Sequence, residues 1–84
     1  MYPTRQAIEN WVIDGIARQK GLKASAISST SSLADLAVTS LDAITIVYDL
    51  EEQFDIEVPN EALDGLATVR DIVDRIEAMV RAKG

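Results

Sequence analysis

Apolar residues near the start of the chain recur three or four positions apart, which is the spacing of one face of an α-helix. The residues on this face are Ile8, Trp11, Val12 and Ile16, with Ala7 and Ile13 beside them. Pro3 and Thr4 suit the first turn of a helix, and Gly21 suits its end. The pattern predicts a helix over residues 4–20.

The end of the chain carries the same helical spacing. The apolar positions are Val69, Ile72, Val73, Ile76, Met79 and Val80. The run Thr68-Val69-Arg70-Asp71 has the spacing of a capping box, so we predict a helix over residues 69–82. Upstream of it, Asn60 suits the cap of a short helix near residues 61–66, with Leu63 and Leu66 turned inward.

The middle segment, residues 40–54, contains no Gly or Pro and is predicted to be a helix capped by Thr39, with Asp42 in its first turn. On a helical wheel this segment has two apolar faces. One face holds Ala43, Ile46, Val47, Leu50 and Phe54, and the nearly opposite face holds Leu41, Ile44 and Tyr48. The second face is either additional core or a surface that a partner covers.

Residues 23–39 join the first two long helices and are rich in Ser and Thr, which favour turns. Leu33 and Leu36 are expected to hold this connection on the core. The predicted fold class is therefore all-α: a small four-helix bundle of three longer helices and one short helix, with a long loop between helices 1 and 2. At 84 residues the chain has room for one domain, residues 1–84, and we expect a monomer.

Charge is unevenly distributed along the chain, whose net charge is −6. No basic residue lies between Lys23 and Arg70, whereas nine acidic residues do. The acidic segment either keeps the protein soluble or recognises basic partners with a salt-dependent on-rate. It argues against nucleic acid and anionic membranes as partners.

The sequence contains no Cys and no His, which excludes thiolate nucleophiles, imidazole bases, disulfides and zinc sites of the usual ligand types. We therefore expect no enzymatic activity and no metal site. No apolar run reaches the length of a membrane span, and Arg5 and Glu9 interrupt any signal-peptide pattern. These features predict a cytoplasmic protein.

Ser40 is the hydroxyl of most interest, because it follows the cap residue Thr39 and lies at the first position of the predicted second helix. Serine at a helix start is most often there for capping. The alternative is that Ser40 accepts a phosphate-bearing group, which free N–H groups and the helix dipole would stabilise. With no base available in the chain, another enzyme would have to install that group.

Three runs of the sequence resemble the acyl carrier protein family. The run Asp35-Leu36-Ala37-Val38-Thr39-Ser40-Leu41-Asp42-Ala43-Ile44 resembles its phosphopantetheine attachment region, and Leu50-Glu51-Glu52-Gln53-Phe54-Asp55-Ile56-Glu57-Val58-Pro59 resembles the segment that follows. Thr68-Val69-Arg70-Asp71 resembles the start of the family's last helix. The spacing agrees without gaps from about Leu33 to Ile76.

The resemblance implies a carrier that holds acyl intermediates as thioesters on 4′-phosphopantetheine, attached covalently to Ser40 by a magnesium-dependent phosphopantetheinyl transferase. It would present them to acyl-transferring, condensing or acyl-activating enzymes of fatty-acid, polyketide or lipid pathways that have basic docking patches. The implied partner-binding residues are Leu41, Asp42, Ile44, Tyr48, Asp49, Glu51 and Glu52. An acyl-chain cavity between helices would be lined by Ala43, Val47, Leu50, Val58, Leu63, Leu66 and Ile72, each of which is equally consistent with ordinary core.

Two departures from the family pattern lie close to Ser40: Thr39 replaces the usual Asp, and Ala37 stands where Gly is common. They suggest a specialised carrier with a dedicated pathway. A peptidyl or D-alanyl carrier is the rival within the class, although peptidyl carriers usually have Gly-Gly where this chain has Ala37-Val38. The rival from another class is an unmodified acidic helical adaptor in which Ser40 is only a capping residue.

Overall fold

A computed structural model of the protein describes residues 4–59, 61 and 65–83. It contains three α-helices, α1 (Arg5–Lys20), α2 (Ser40–Phe54) and α3 (Val69–Lys83), and a short 3₁₀ turn at Ala24–Ala26. The three long helices confirm the predicted ones to within one residue at each end. Half of the short helix predicted near residues 61–66, including Leu63, lies outside the described residues, as does its cap Asn60.

Helix α1 begins and ends as its sequence predicts. The Thr4 hydroxyl accepts a hydrogen bond from the Ala7 N–H, and Gly21 ends the helix in the left-handed conformation, with its N–H on the Ala17 carbonyl. Ile8, Val12 and Ile16 are fully buried, whereas Trp11 and Ile13 are half-buried and Ala7 is exposed. The apolar stripe therefore forms the inner face of α1.

The core lies where α1 packs against both α2 and α3. Its largest fully buried side chains are Ile8, Ile16, Ile46, Leu50, Ile72, Ile76, Val12, Val47, Val69 and Val73. The edge of the Trp11 ring meets the Phe54 ring, with centroids 6.2 Å apart, and closes the core at the end of α2. One apolar face of each helix is thus sufficient to form the bundle.

Main-chain hydrogen bonds tie the loop between α1 and α2 to the start of α3. Leu33 N–H donates to the Ala67 carbonyl at 2.9 Å, and the N–H groups of Val69 and Arg70 donate to the carbonyls of Ser31 and Ser29 at 3.1 and 2.8 Å. The loop is also held by side chains, because Ile27 and Leu33 are buried and Leu36 packs against the core. The expected anchoring by Leu33 and Leu36 is confirmed.

The predicted capping box of α3 is present. Asp71 accepts hydrogen bonds from the N–H groups of Ala67 and Thr68 at 2.8 and 3.0 Å, and its own N–H donates to the Thr68 hydroxyl at 3.3 Å. These N–H donors lower the pKa of the Asp71 carboxyl. Further along α3, Asp74 and Glu77 form ion pairs with Arg5 at 2.6 and 3.1 Å, which join the helix to the start of α1.

Ala37, one of the departures from the family pattern, has a φ of +60°, in the left-handed region that glycine tolerates best. We expect Ala37→Gly to raise the free energy of unfolding by about 0.5–1 kcal/mol in urea titrations. Relief of strain from the Cβ, about 1–2 kcal/mol, outweighs the greater freedom of glycine in the unfolded chain. Ala34→Gly is the matched control, because Ala34 has no positive φ and should lose stability instead. A loss of stability in both variants would contradict the strain argument.

Candidate functional site

Ser40 is exposed and is the first residue of α2, as the sequence predicts. The N–H groups of Ser40 and of the next residue, Leu41, lie in the first turn, where an α-helix has no carbonyl to pair them with. No hydrogen bond of the Ser40 hydroxyl is found within the described part of the chain. The hydroxyl therefore lies at the positive end of the helix dipole and is accessible from outside.

A capping box holds the first turn of α2 without using Ser40. The Thr39 hydroxyl accepts from the Asp42 N–H at 3.2 Å, and the Asp42 carboxylate accepts from the Thr39 N–H at 3.1 Å. A hydrogen bond from Lys20 is the main cause that lowers the pKa of the Asp42 carboxyl, and the Thr39 N–H adds to it. Capping is thus performed by the neighbours of Ser40, which leaves its hydroxyl available for chemistry.

An open groove of about 670 Å³ begins at Ser40. It lies between the first turns of α2 and the segments of loop that are tied to α3. Its lining is mixed but mainly apolar, from Ser32, Leu33, Ala34, Val38, Thr39, Ser40, Ala43, Ile44, Leu66 and Ala67. A group attached to the Ser40 hydroxyl could therefore lie along a concave, partly apolar surface of the protein.

The residues predicted to line an acyl-chain cavity do not all lie together. Ala43 and Leu66 line the groove beside Ser40. Val47, Leu50 and Ile72 are at most 1% exposed and belong to the packed core, away from the groove lining. Val58 is half-buried against the core, and Leu63 lies outside the described residues.

The second apolar face of α2 is only partly covered. Leu41 and Tyr48 are 75% and 62% exposed, among the few large apolar side chains of the described residues that face solvent. Ile44, between them on the helix, is half-buried and also lines the groove. Leu41 and Tyr48 are therefore not additional core, and this face remains open to a partner.

The four predicted acidic contact residues of α2 differ in their exposure and in their hydrogen-bond and ion-pair partners. Asp49 and Glu52 are exposed and form no ion pair within the described residues. Glu51 is half-buried and accepts a hydrogen bond from the Val58 N–H at 3.3 Å, so it helps to hold the chain after α2. Asp42 is half-buried and is held by Thr39 and Lys20.

Lys20 is a residue near the site that sequence reasoning missed. Its ammonium lies 2.5 Å from the Asp42 carboxylate and joins the end of α1 to the first turn of α2. The two residues are distant in the sequence, and no local pattern connects them. The basic character of the last turn of α1 was the only available signal.

Comparison with known proteins identifies the family of the chain. The family described as "Phosphopantetheine attachment site" matches residues 10–76, which is most of the chain. The chain belongs to this family, whose members carry phosphopantetheine covalently, and the resemblance found in the sequence is confirmed.

One relative places the chain more narrowly, and one solved structure matches its fold. It is 44% identical over 64 residues to a protein of Prochlorococcus marinus (strain MIT 9515) named acyl carrier protein, covering 75% of this chain and 80% of that one. Its fold matches a crystal structure of an acyl carrier protein from Thermotoga maritima with a TM-score of 0.81, at 16% identity and over 95% and 94% of the two chains. An acyl carrier function follows, and proteins of this class are carriers and not enzymes.

The all-helical fold predicted from the sequence is also confirmed by this structural match. Among the helices in the described residues, none is both long and apolar enough to cross a membrane.

Proposed function

We propose that Ser40 is the residue to which 4′-phosphopantetheine is attached. The observation that carries the proposal is an exposed hydroxyl at the first position of α2, with capping performed by Thr39 and Asp42 and with a groove beginning beside it. Ser40 also lies in the run of sequence that resembles the family's attachment region, which supports the proposal.

The residues around Ser40 fit the phosphodiester and the pantetheine arm in two ways. The unpaired N–H groups of the first turn and the dipole of α2 favour a negative phosphate at this end of the helix. Leu33, Val38 and Ile44 in the groove offer apolar contacts to an attached arm. When bound, the group supplies a terminal thiol that carries acyl chains as thioesters, a chemistry that a chain without Cys lacks.

Attachment requires a separate phosphopantetheinyl transferase with coenzyme A and magnesium. The Ser40 Oγ–phosphorus bond forms as the diphosphate of coenzyme A breaks, so that adenosine 3′,5′-bisphosphate leaves and the hydroxyl proton is released. The chain contains no His or Cys to act as a general base at neutral pH. What the chain contributes is a fixed, accessible hydroxyl on a capped helix. We propose that the protein acts in the cytoplasm, where coenzyme A is available to a transferase.

We propose that the partner-binding face of α2 is formed by Leu41, Ile44 and Tyr48 with acidic residues beside them. The exposure of Leu41 and Tyr48 supports this, because large apolar side chains at the surface mark interaction sites. The free carboxylates of Asp49 and Glu52 would meet basic patches on the transferase and on acyl-transferring, condensing or acyl-activating enzymes. Asp42 and Glu51 would contribute from their more restricted positions.

The groove beside Ser40 is the place we propose for the arm or for the first part of an acyl chain. A chain lodged between the helices would have to displace buried side chains such as Val47, Leu50 and Ile72, each at most 1% exposed. The groove, with Ala43 and Leu66 in its lining, is already open and needs no such displacement.

Incubation of the purified protein with coenzyme A, magnesium and a broad-specificity phosphopantetheinyl transferase tests the proposal by mass spectrometry. We expect a gain in mass of one phosphopantetheine. An unmodified adaptor would show no gain, and that result would overturn the proposal. Loading of the modified protein then separates the two carrier types, since an acyl carrier accepts fatty acyl groups and a peptidyl or D-alanyl carrier accepts amino acids.

A further inference from the structure

An ion pair between α1 and α2 lies within two residues of Ser40. The Lys20 ammonium is 2.5 Å from Oδ2 of Asp42, and the two side chains are 24% and 25% exposed. The same Oδ2 accepts the hydrogen bond from the Thr39 N–H. The carboxylate closest in sequence to the attachment serine is therefore engaged inside the protein from two directions.

This ion pair gives Asp42 a cationic partner, which the exposed acidic residues later in α2 lack among the described residues. The acidic segment contains no basic residue between Lys23 and Arg70, so the cation comes from outside it, at the last position of α1. Asp49 and Glu52, further along α2, form no ion pair in the part of the chain that the structure describes. The start of the partner-binding face is therefore partly neutralised, whereas its later turns keep their full negative charge.

A basic residue of a docking enzyme that approaches Asp42 has to compete with Lys20 for the same carboxylate. Such competition weakens the contact, because forming the new ion pair across the interface requires breaking the pair with Lys20. The binding free energy gains only the difference between the two pairs. Asp49 and Glu52 have no such competing cation among the described residues.

We propose that Lys20 determines partner specificity by acting as an internal counter-ion to Asp42. It lowers the affinity of the protein for enzymes whose basic patch contacts the first turn of α2 and favours those that contact Asp49 and Glu52. The proposal rests on the proposed function, because it concerns the same face and the same docking enzymes.

The test compares Lys20→Met with Lys23→Met as substrates of a broad-specificity phosphopantetheinyl transferase with coenzyme A and magnesium. This enzyme is a suitable probe because it has to contact the first turn of α2 to reach Ser40, whatever contacts it also makes with Asp49 and Glu52. Both variants change the net charge from −6 to −7, but Lys23 is exposed and forms no ion pair within the described residues. At low salt we expect the KM of Lys20→Met to fall about two- to fivefold below that of Lys23→Met, the range typical of one partly exposed ion pair. The kcat should be equal, and high salt should remove the difference in KM.

Equal KM values for the two variants at low salt would overturn the proposal, as would a higher KM for Lys20→Met. A purely structural role of Lys20 would change the unfolding midpoint and leave the salt dependence of KM unaltered, which would also contradict it. Titration of the Asp42 carboxyl by NMR provides a check that needs no enzyme: its pKa should rise in Lys20→Met and stay unchanged in Lys23→Met. Failure of the wild-type protein to gain mass would instead refute the proposed function.

Discussion

Ser40→Ala is expected to remain entirely unmodified when the protein is incubated with coenzyme A, magnesium and transferase, whereas the wild type gains one phosphopantetheine. Alanine has no hydroxyl to form the phosphodiester, and nothing in the chain replaces it at this position. The substitution should leave the fold intact, because Thr39 and Asp42 cap α2 and Ser40 makes no hydrogen bond through its side chain within the described residues. Mass spectrometry measures the modification, and circular dichroism measures whether the helical fold is retained.

Ser32→Ala is the matched control for this experiment. Ser32 lines the same groove as Ser40 but lies in the loop and not at a helix start. We expect Ser32→Ala to be modified as fully as the wild type. Modification of Ser40→Ala, or loss of modification in Ser32→Ala, would place the attachment elsewhere and contradict the assignment.

Leu50→Ala is expected to reduce the free energy of unfolding by about 3 kcal/mol, whereas Leu41→Ala, on the same helix, should change it by less than about 0.5 kcal/mol. Leu50 is completely buried in the core, so its truncation leaves a cavity. Leu41 is 75% exposed and loses little contact on truncation. For a domain of this size a loss of about 3 kcal/mol is a large part of the total stability.

Urea unfolding followed by tryptophan fluorescence measures this difference. Trp11 is the sole tryptophan of the chain and contacts Phe54 at the end of α2, so its emission reports the packing of α1 against α2. Leu41→Ala should instead impair docking and raise the KM for the transferase. Similar stability losses in both variants would mean that α2 does not have one core face and one free face.

The helices were predictable because their ends are determined locally. Thr4, Thr39 and Thr68 each cap the helix that follows, and the side chains that share a face with Leu50 recur at helical spacing. The position of Ser40 at a helix start depended only on Thr39 and on the residues after it. The sequence left open whether Leu41 and Tyr48 are additional core or surface, and the structure shows that they are exposed.

Features that depend on contacts between distant segments could not be predicted from the sequence. The groove forms only because the loop lies along the start of α3. The main-chain hydrogen bond from Leu33 to Ala67 that holds it there does not depend on residue type, so the sequence does not predict it. The contact of Lys20 with Asp42 depends on how α1 crosses α2. The left-handed conformation of Ala37 could not be predicted from its residue type, because alanine rarely adopts a positive φ.

The hydrogen bonds that fix the loop to α3 have a consequence for how this sequence can diverge. They join the main chain of Ser29, Ser31 and Leu33 to the main chain around Val69, so they do not depend on which side chains the loop carries. Exposed loop positions before Leu33 whose side chains form no hydrogen bond among the described residues are thus free to change in evolution while the loop that leads to Ser40 keeps its place against α3. The same freedom makes exposed positions such as Ser25 suitable for a spectroscopic label that leaves the carrier site undisturbed.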